Sequence, residues 1–244
     1  MVNYSEALKR PFTNFKALII GIILVVIPVI LGFLFVGGSL LPHLDKLMAL
    51  EGVQDPQEIL NILSSTILTP RFFGIAGLVG LVGLVINWIV GGYYFRCAHS
   101  VLGKTKKKFV MPKWNKVGDL FVKGLLVFLL MLIYVVITLV LGLLSILTIV
   151  GPIIFALLFI YLIPGVFISF VEDGRFGSGF KFKRIFRKAF TSKYLVTWLF
   201  GVLVTIVLGI IGGFVPFVGA PIAGFLSMVI SITALTEAYS EIKK

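Results

Sequence analysis

The sequence has few charged residues, and two long stretches have none. No Lys, Arg, Asp or Glu occurs in the 48 residues from Gly124 to Val171 or in the 43 residues from Tyr194 to Thr236. Soluble domains carry about 25% charged residues, whereas this chain carries 13%. One membrane-spanning helix needs about 20 apolar residues, so each stretch suits two helices. The sequence therefore predicts an integral membrane protein and excludes a soluble globular domain.

The residue types that build enzyme and metal sites are also scarce. The chain has one cysteine, Cys97, and two histidines, His43 and His99. A single cysteine excludes an internal disulfide, and these three side chains are too few for a structural zinc site. The sequence has no Walker loop, no H-E-x-x-H motif and no Ser-centred elbow. We expect no catalytic residue, no metal site and no cofactor, and therefore a protein that is not an enzyme.

Ionisable residues are absent from the middle of the predicted spans. Proton relays and ion-coupled transporters keep such residues at mid-membrane depth, because a charge there needs a partner in the apolar core. Their absence argues against transport driven by protons or sodium.

Six apolar segments are long enough to cross a membrane. They cover residues 17–36, 72–95, 124–148, 152–171, 194–214 and 217–236. Pro70, Pro152 and Pro221 stand near the starts of alternate segments, and proline is favoured in the first turn of a helix. The pattern predicts an all-α polytopic membrane protein. It has six transmembrane helices arranged as three hairpins, plus interfacial amphipathic helices, in a single integral membrane domain over residues 1–244.

The connection over residues 37–71 is long and predicts an outer helical subdomain. Asp55 and Pro56 mark a helix start there, because Asp is a preferred N-cap residue and Pro a preferred first residue. This subdomain either gates the bundle or only caps it.

The basic residues are distributed unequally between the two sides of the membrane. With a cytoplasmic N-terminus, 20 of the 22 Lys and Arg fall in the cytoplasmic segments, which are 1–16, 96–123, 172–193 and 237–244. The outer side keeps only Lys46 and Arg71. Cytoplasmic loops carry the excess of Lys and Arg in membrane proteins. The sequence therefore predicts a multi-pass protein of the cell membrane with both termini in the cytoplasm.

The second basic loop contains an amphipathic helix, "GFKFKRIFRKAF" over residues 179–190. Its apolar face carries Phe182, Ile185, Phe186, Ala189 and Phe190. The remaining arc carries Lys181, Lys183, Arg184, Arg187 and Lys188. Such a helix lies in the membrane interface, where cations attract anionic headgroups. We expect membrane lipids as partners and these five cations as the headgroup-binding residues.

Nucleic-acid binding is the alternative reading of basic residues interleaved with aromatic ones. It requires aromatic rings exposed for base stacking. In the predicted helix the Phe face is buried in lipid or against the bundle instead, so we expect no nucleic acid as partner.

Polar and proline residues inside the spans suggest a possible groove near Pro28, Asn87 and Pro164. Proline removes a helical hydrogen bond and bends the helix. A groove would favour a permease or lipid translocator for an apolar or amphipathic substrate, without proton coupling. The leading prediction is a non-enzymatic lipid-interacting or scaffold protein. A third possibility is an accessory subunit of a membrane complex, and a homo-oligomer is also possible.

Small residues and helix-end charges predict local contacts. Gly209 with Gly213, and Ala220 with Gly224, form small-xxx-small pairs typical of close helix packing. Glu172 and Asp173 end the fourth span and are expected to pair with Arg175 or Lys181. Trp114 and Trp198 fit the aromatic belt at the membrane boundary.

Three segments resemble a known family. They are "MPKWNKVGDLFVKGLLVFLLMLIYVV" (111–136), with its P-x-W, Leu-Phe and Gly, "GSGFKFKRIFRKAFTSKYLVTWL" (177–199), and "GGYYFRCAHSVLG" (91–103). The chain resembles a group of multi-pass membrane proteins of archaea and bacteria known only as a domain of unknown function.

The resemblance runs from about Gly91 to Leu199. Lys113 and Lys116 stand where the family often has acids. The resemblance implies a polytopic fold and a prokaryotic membrane, more often archaeal than bacterial, and it implies no activity.

Overall fold

The computed structural model describes residues 2–48, 50, 55–67, 69–103, 109–145, 148 and 150–242. These residues form helices and no β-strand, which confirms the all-α prediction. Part of the predicted outer subdomain (49, 51–54 and 68) and part of the predicted first basic loop (104–108) lie outside the described residues.

The helices follow one another as predicted. The chain begins with α1 (Tyr4–Lys9) and a 3-10 turn (Arg10–Thr13). A continuous helical run, Phe15–Met48, then joins α2 (Phe15–Leu31), a π-helical segment (Gly32–Gly37), α3 (Gly38–Leu40), a 3-10 turn (Leu41–His43) and α4 (Leu44–Met48). The rest of the chain forms α5 (Pro56–Thr66), α6 (Pro70–Leu102), α7 (Val117–Leu144), α8 (Gly151–Asp173), α9 (Phe182–Ala189), α10 (Ser192–Gly213) and α11 (Gly219–Glu241).

Six of these elements are long and apolar enough to cross a membrane: the run Phe15–Met48, α6, α7, α8, α10 and α11. In chain order they make three pairs of long helices. The protein is therefore a multi-pass membrane protein, as the composition predicted.

The helix ends differ from the predicted span ends. Helix α6 continues to Leu102, past the predicted end at 95, and α7 begins at Val117 rather than at 124. Helix α7 ends at Leu144, and residues 146, 147 and 149, beside the predicted span end at 148, lie outside the described residues. Polarity marks where a chain leaves the membrane, whereas a helix ends only where its hydrogen-bond ladder is interrupted. Much of the predicted 96–123 loop is therefore helical.

The chain divides into two compact units, Met1–Ile22 with Trp88–Lys244, and Ile23–Asn87. The single integral membrane domain stays a prediction. In the second unit Asp55 caps α5 as expected, because its Oδ1 accepts a hydrogen bond from the Gln57 N–H at 2.9 Å. Pro56 and Pro70 are the first residues of their helices, also as expected.

The core of the first unit surrounds the second half of α8. The seven residues from Gly165 to Val171 are all buried, so every face of the helix is covered there. Phe170 packs on Phe95 of α6, with ring centroids 5.1 Å apart. The second half of α8 therefore supports the segment that follows it, residues 174–190, which we name the basic segment.

Helices α6 and α7 approach each other closely at Gly92 and Gly124. A Cβ on Gly124 would lie 1.6 Å from the Trp88 carbonyl oxygen, and one on Gly92 would lie 1.8 Å from the Leu120 carbonyl oxygen. Only glycine fits at such a distance. The predicted close packing at the small-xxx-small pairs is wrong: a Cβ on Gly209, Gly213 or Gly224 would meet no described atom within 4 Å, and Ala220 is exposed. Spacing identifies small residues, but the crossing point of two helices depends on their tilt.

Candidate functional site

The basic segment begins with a sharp turn at the end of α8. Gly174 adopts a left-handed conformation with φ 66°, and its N–H donates to the Phe170 carbonyl at 2.9 Å. This is the usual glycine stop of a helix. The 3-10 turn Phe176–Phe180 follows. The turn reverses the chain, so the segment runs back along α8.

Hydrogen bonds hold the basic segment against the sides of α7 and α8. Tyr134, in α7, donates its hydroxyl to the Gly179 carbonyl at 2.6 Å. Tyr161, in α8, donates to the Ala189 carbonyl at 2.6 Å. Tyr161 lies twelve residues before the end of α8, which is about 18 Å along a helix. The segment therefore lies alongside the long helices and does not extend away from their ends.

Helix α9 has an inward and an outward side. Ile185, Lys188 and Ala189 are buried. With about 100° between successive residues, the order around the helix is Phe182, Phe186, Phe190, Lys183, Arg187, Arg184, Lys188, Ile185 and Ala189. Phe182, Phe186 and Phe190 are exposed. The predicted apolar face is thus divided between the protein interior and the surface.

Two carboxylates at the end of α8 pair with cations of the basic segment. Asp173 accepts from Lys181 at 2.6 Å and from Arg184 at 2.9 and 3.0 Å. Glu172 pairs with Arg184 and, at 3.5 Å, with Lys188. The predicted pairing of Asp173 with Lys181 is confirmed, whereas Arg175 forms no ion pair with a described residue. We name Glu172, Asp173, Lys181, Arg184 and Lys188 the α8–α9 ion-pair network.

Arg184 is the centre of this network. Partial burial opposes its charge, but the hydrogen bonds with Asp173 and Glu172 outweigh burial and raise the pKa of the guanidinium. An arginine is charged at all physiological pH values. Arg184 is therefore a permanent link between α9 and the end of α8.

Lys188 is the most deeply buried of the predicted headgroup-binding residues. Its side chain is 1% exposed, and its Nζ donates to the Tyr239 carbonyl of α11 at 2.9 Å. The same Nζ lies 4.2 Å from the centre of the Tyr239 ring, within the range of a cation–π contact. Lys188 therefore joins α9 to α11 rather than facing outward.

The surroundings of Lys183 and Arg187 differ from those of Lys181, Arg184 and Lys188. Both are exposed, and neither makes a hydrogen bond or ion pair with any part of the chain that the structure describes. They follow one another at i and i+4 beside the exposed Phe rings. We name Lys183, Arg187, Phe182, Phe186 and Phe190 the outer face of α9.

The P-x-W segment packs against α6 and α2. Trp114 stacks on Tyr93, with ring centroids 3.7 Å apart and an interplanar angle of 3°. Its Nε1–H donates to the Ala17 carbonyl at 2.7 Å, and Tyr93 donates its hydroxyl to the Pro112 carbonyl at 2.9 Å. Trp114 therefore holds the loop before α7 against α6 and α2, and its place in the aromatic belt stays a prediction.

The segments just described lie within a match to a known protein family. The family described as "Protein of unknown function (DUF4013)" matches residues 72–217, more than half of the chain. The chain belongs to this family. The match covers nearly all of α6, the helices α7 to α10 and all three segments that carried the resemblance, so the prediction of an uncharacterised family is confirmed. No curated protein and no solved structure matches the chain.

Arg10 lies before the family match and was not singled out in the sequence. Its side chain is completely buried. It donates to Thr233 Oγ1 at 2.7 Å, to the Cys97 carbonyl at 2.9 Å and to Ser100 Oγ at 2.5 Å. Burial lowers the pKa of its guanidinium. Arg10 thus joins the N-terminal turn to α6 and α11, and the sequence contained no local signal of this role.

The residues of the predicted groove lie in different parts of the chain. Pro28 and Asn87 belong to the second unit, where Pro28 is half-buried and Asn87 is exposed. Pro164 belongs to the first unit and lines a cavity of about 230 Å³ with Trp198, Gly201 and Ser231. The groove itself stays a prediction.

The part of the chain that the structure describes has no group of three or more His, Cys, Asp or Glu residues placed to hold a metal ion. Cys97 is buried. The ion-pair network has two carboxylates, and both are engaged by cations.

Proposed function

We propose that this protein is a non-enzymatic, lipid-interacting or scaffold protein of the cell membrane. Its basic cytoplasmic surface binds anionic lipid headgroups. The observation that carries this proposal is the outer face of α9, where two exposed cations, which pair with none of the residues that the structure describes, stand beside three exposed aromatic rings.

The chemistry of this face suits a membrane interface. Aromatic rings favour the headgroup level, and each Lys or Arg near an anionic leaflet contributes about 1 kcal/mol. Lys183 and Arg187 are available for this attraction because Lys181, Arg184 and Lys188 are already held in the protein. The binding energy we expect from headgroup contact is therefore about 2 kcal/mol rather than the larger sum over five cations.

The proposed orientation places both termini and both basic loops in the cytoplasm. It is supported by the concentration of 20 of the 22 Lys and Arg in the four segments assigned to that side.

The test measures retention of phosphatidylglycerol by the full chain in nanodiscs. The variant is Lys183→Glu with Arg187→Glu. The control is Lys46→Glu with Arg71→Glu, which changes the net charge equally at two exposed residues of the predicted outer side. We expect the α9 variant to bind phosphatidylglycerol about thirtyfold more weakly, the equivalent of about 2 kcal/mol. The control should bind as the wild type does.

Equal retention by wild type and the α9 variant would contradict the proposal. The alternative functions have their own readouts. Lipid scrambling or substrate flux in proteoliposomes that Asn87→Leu abolishes would favour the permease or translocator. Proteins that co-purify in fixed ratio would favour the accessory subunit.

A further inference from the structure

An apolar cleft lies between α7 and α8 and reaches α9. Its volume is about 200 Å³. Thr138 and Leu141 line it from α7, Phe155 and Val166 from α8, and Phe182 and Phe186 from α9. All twelve lining residues are apolar except Thr138 and Tyr134, and the Tyr134 hydroxyl is occupied by the Gly179 carbonyl. The cleft therefore offers contact with hydrocarbon and almost no hydrogen bonding.

The shape of the cleft suits an extended hydrocarbon chain rather than a compact molecule. Along α7 its lining runs from Tyr134 to Leu141, about 10 Å, and along α8 from Phe155 to Val166, about 16 Å. Sites for drug-sized ligands have volumes of about 300–1,000 Å³. A narrow, elongated cleft of this smaller volume matches part of one acyl chain.

The side of the cleft that α9 lines lies beside positive charge. Phe182 and Phe186 line the cleft and are also exposed residues of the outer face of α9. Lys183 and Arg187 are their neighbours on the same helix and are exposed. An occupant with a hydrocarbon chain and an anionic group at its end complements both features.

A second copy of the chain complements them less well. The chain carries a net charge of +12, with 10 acidic residues against 22 basic ones. A second copy would therefore bring positive charge toward Lys183 and Arg187, which is unfavourable.

We propose that this cleft holds one acyl chain of an anionic phospholipid whose phosphate lies on Lys183 and Arg187. The inference rests on the proposed headgroup binding and adds a defined binding site for the acyl chain. The lipid is then bound at one site of the protein, in contrast to a diffuse attraction between a basic surface and a leaflet.

The experiment uses phosphatidylglycerol with a photoactivatable diazirine on one acyl chain, in nanodiscs that contain the full chain. Thr138→Trp fills the cleft. Leu139→Trp is the matched control, because Leu139 is the next residue of α7 and is 61% exposed. Lys183→Glu with Arg187→Glu tests the headgroup contact in parallel, and a phosphatidylcholine with the same labelled chain tests the need for negative charge.

We expect wild-type adducts on residues 134–141 and 155–166. Thr138→Trp should lower their yield about tenfold, as expected when roughly two methylene groups are displaced, and Leu139→Trp should leave it unchanged. The charge-reversed variant should label equally with phosphatidylglycerol and phosphatidylcholine, whereas the wild type should prefer phosphatidylglycerol.

The outcomes separate the inference from the proposed function. If charge reversal weakens phosphatidylglycerol binding but Thr138→Trp does not lower the adduct yield, the cleft is excluded as the site of the acyl chain. The proposed headgroup binding then stands. If only Thr138→Trp has an effect, both the headgroup function and this two-point site are overturned. A dimer that Thr138→Trp dissociates, with no lipid adducts in the cleft, would show a second copy as the occupant and would also overturn the inference.

Folding of the tryptophan variants is checked by circular dichroism and gel filtration. If Thr138→Trp does not fold, the wild-type adduct map decides. Adducts concentrated on α7 and α8 support the inference, and adducts spread equally over the exposed surfaces of α10 and α11 overturn it.

Discussion

The two sides of α9 carry the same residue types but have different surroundings. Arg184 and Lys188 are turned toward α8 and α11 and are engaged by carboxylates or a carbonyl. Lys183 and Arg187, each next to one of them in the sequence, are exposed. The inward cations hold the basic segment in place, and the outward cations are available to a ligand. The number of basic residues in a segment therefore overstates the number of cations that are available for contact with a membrane surface.

The N-terminal segment repeats this contrast in two adjacent residues. Lys9 ends α1 and is exposed, whereas Arg10 is completely buried with three acceptors. Successive residues of a helix differ in direction by about 100°, which is enough to place one cation in solvent and the next in the core.

The largest effect is expected at Arg10. Arg10→Met removes three hydrogen bonds from a charged donor and leaves the buried acceptors without it, so we expect a loss of about 3 kcal/mol in the free energy of unfolding. Lys9→Met should change it by less than about 0.5 kcal/mol. Unfolding in nanodiscs followed by steric trapping measures both. Equal stability of the two variants would remove the distinction between these neighbours.

The second largest loss of stability is expected within α9, where a buried and an exposed lysine can be compared. Lys188→Met leaves the carbonyl of the buried Tyr239 and the partly exposed Glu172 carboxylate with one donor fewer each, so we expect a loss of about 2 kcal/mol in the free energy of unfolding. Lys183→Met should change the free energy of unfolding by less than about 0.5 kcal/mol. The same unfolding measurement applies. A loss as large for Lys183→Met as for Lys188→Met would mean that the outer face also supports the fold.

A smaller effect is expected for Arg184→Lys. The guanidinium reaches Asp173 and Glu172 together, and a lysine cannot reproduce that fork. Because the pair is partly exposed, with side-chain exposures of 15% for Arg184 and 21% for Glu172, we expect a loss of about 1 kcal/mol. Proteolysis of the 172–193 segment should become faster, while phosphatidylglycerol retention stays unchanged. Weaker lipid retention by this variant would place Arg184 in the headgroup site as well.

The smallest effect is expected for Lys181→Met. Its ion pair with Asp173 is 2.6 Å long, but the lysine side chain is 54% exposed. Solvent screening limits such a pair to about 0–1 kcal/mol, and Arg184 remains on the same carboxylate. Raising the salt concentration should narrow the stability difference between this variant and the wild type. A difference that persists unchanged in high salt would indicate a buried pair.

Sequence reasoning located α9 and its polar and apolar residues, because helical spacing is a local property. It also identified Lys181 as a partner of Asp173, which lies eight residues away. It did not identify Lys188 as an inward residue, since the Tyr239 carbonyl lies 51 residues further along the chain. Arg10 was missed for the same reason: Thr233 is 223 residues away.

The sequence alone determined the membrane class, the six long helices and the position of the basic segment. Hydrophobicity and helical periodicity are summed over neighbouring residues, so they can be read without a fold. Only the tertiary structure decided which cations of α9 face the protein and which face outward. That choice depends on the turn at Gly174, on the carboxylates at the end of α8 and on a carbonyl of α11. These groups come together only when distant parts of the chain pack, and a buried cation is stable only where such partners meet it.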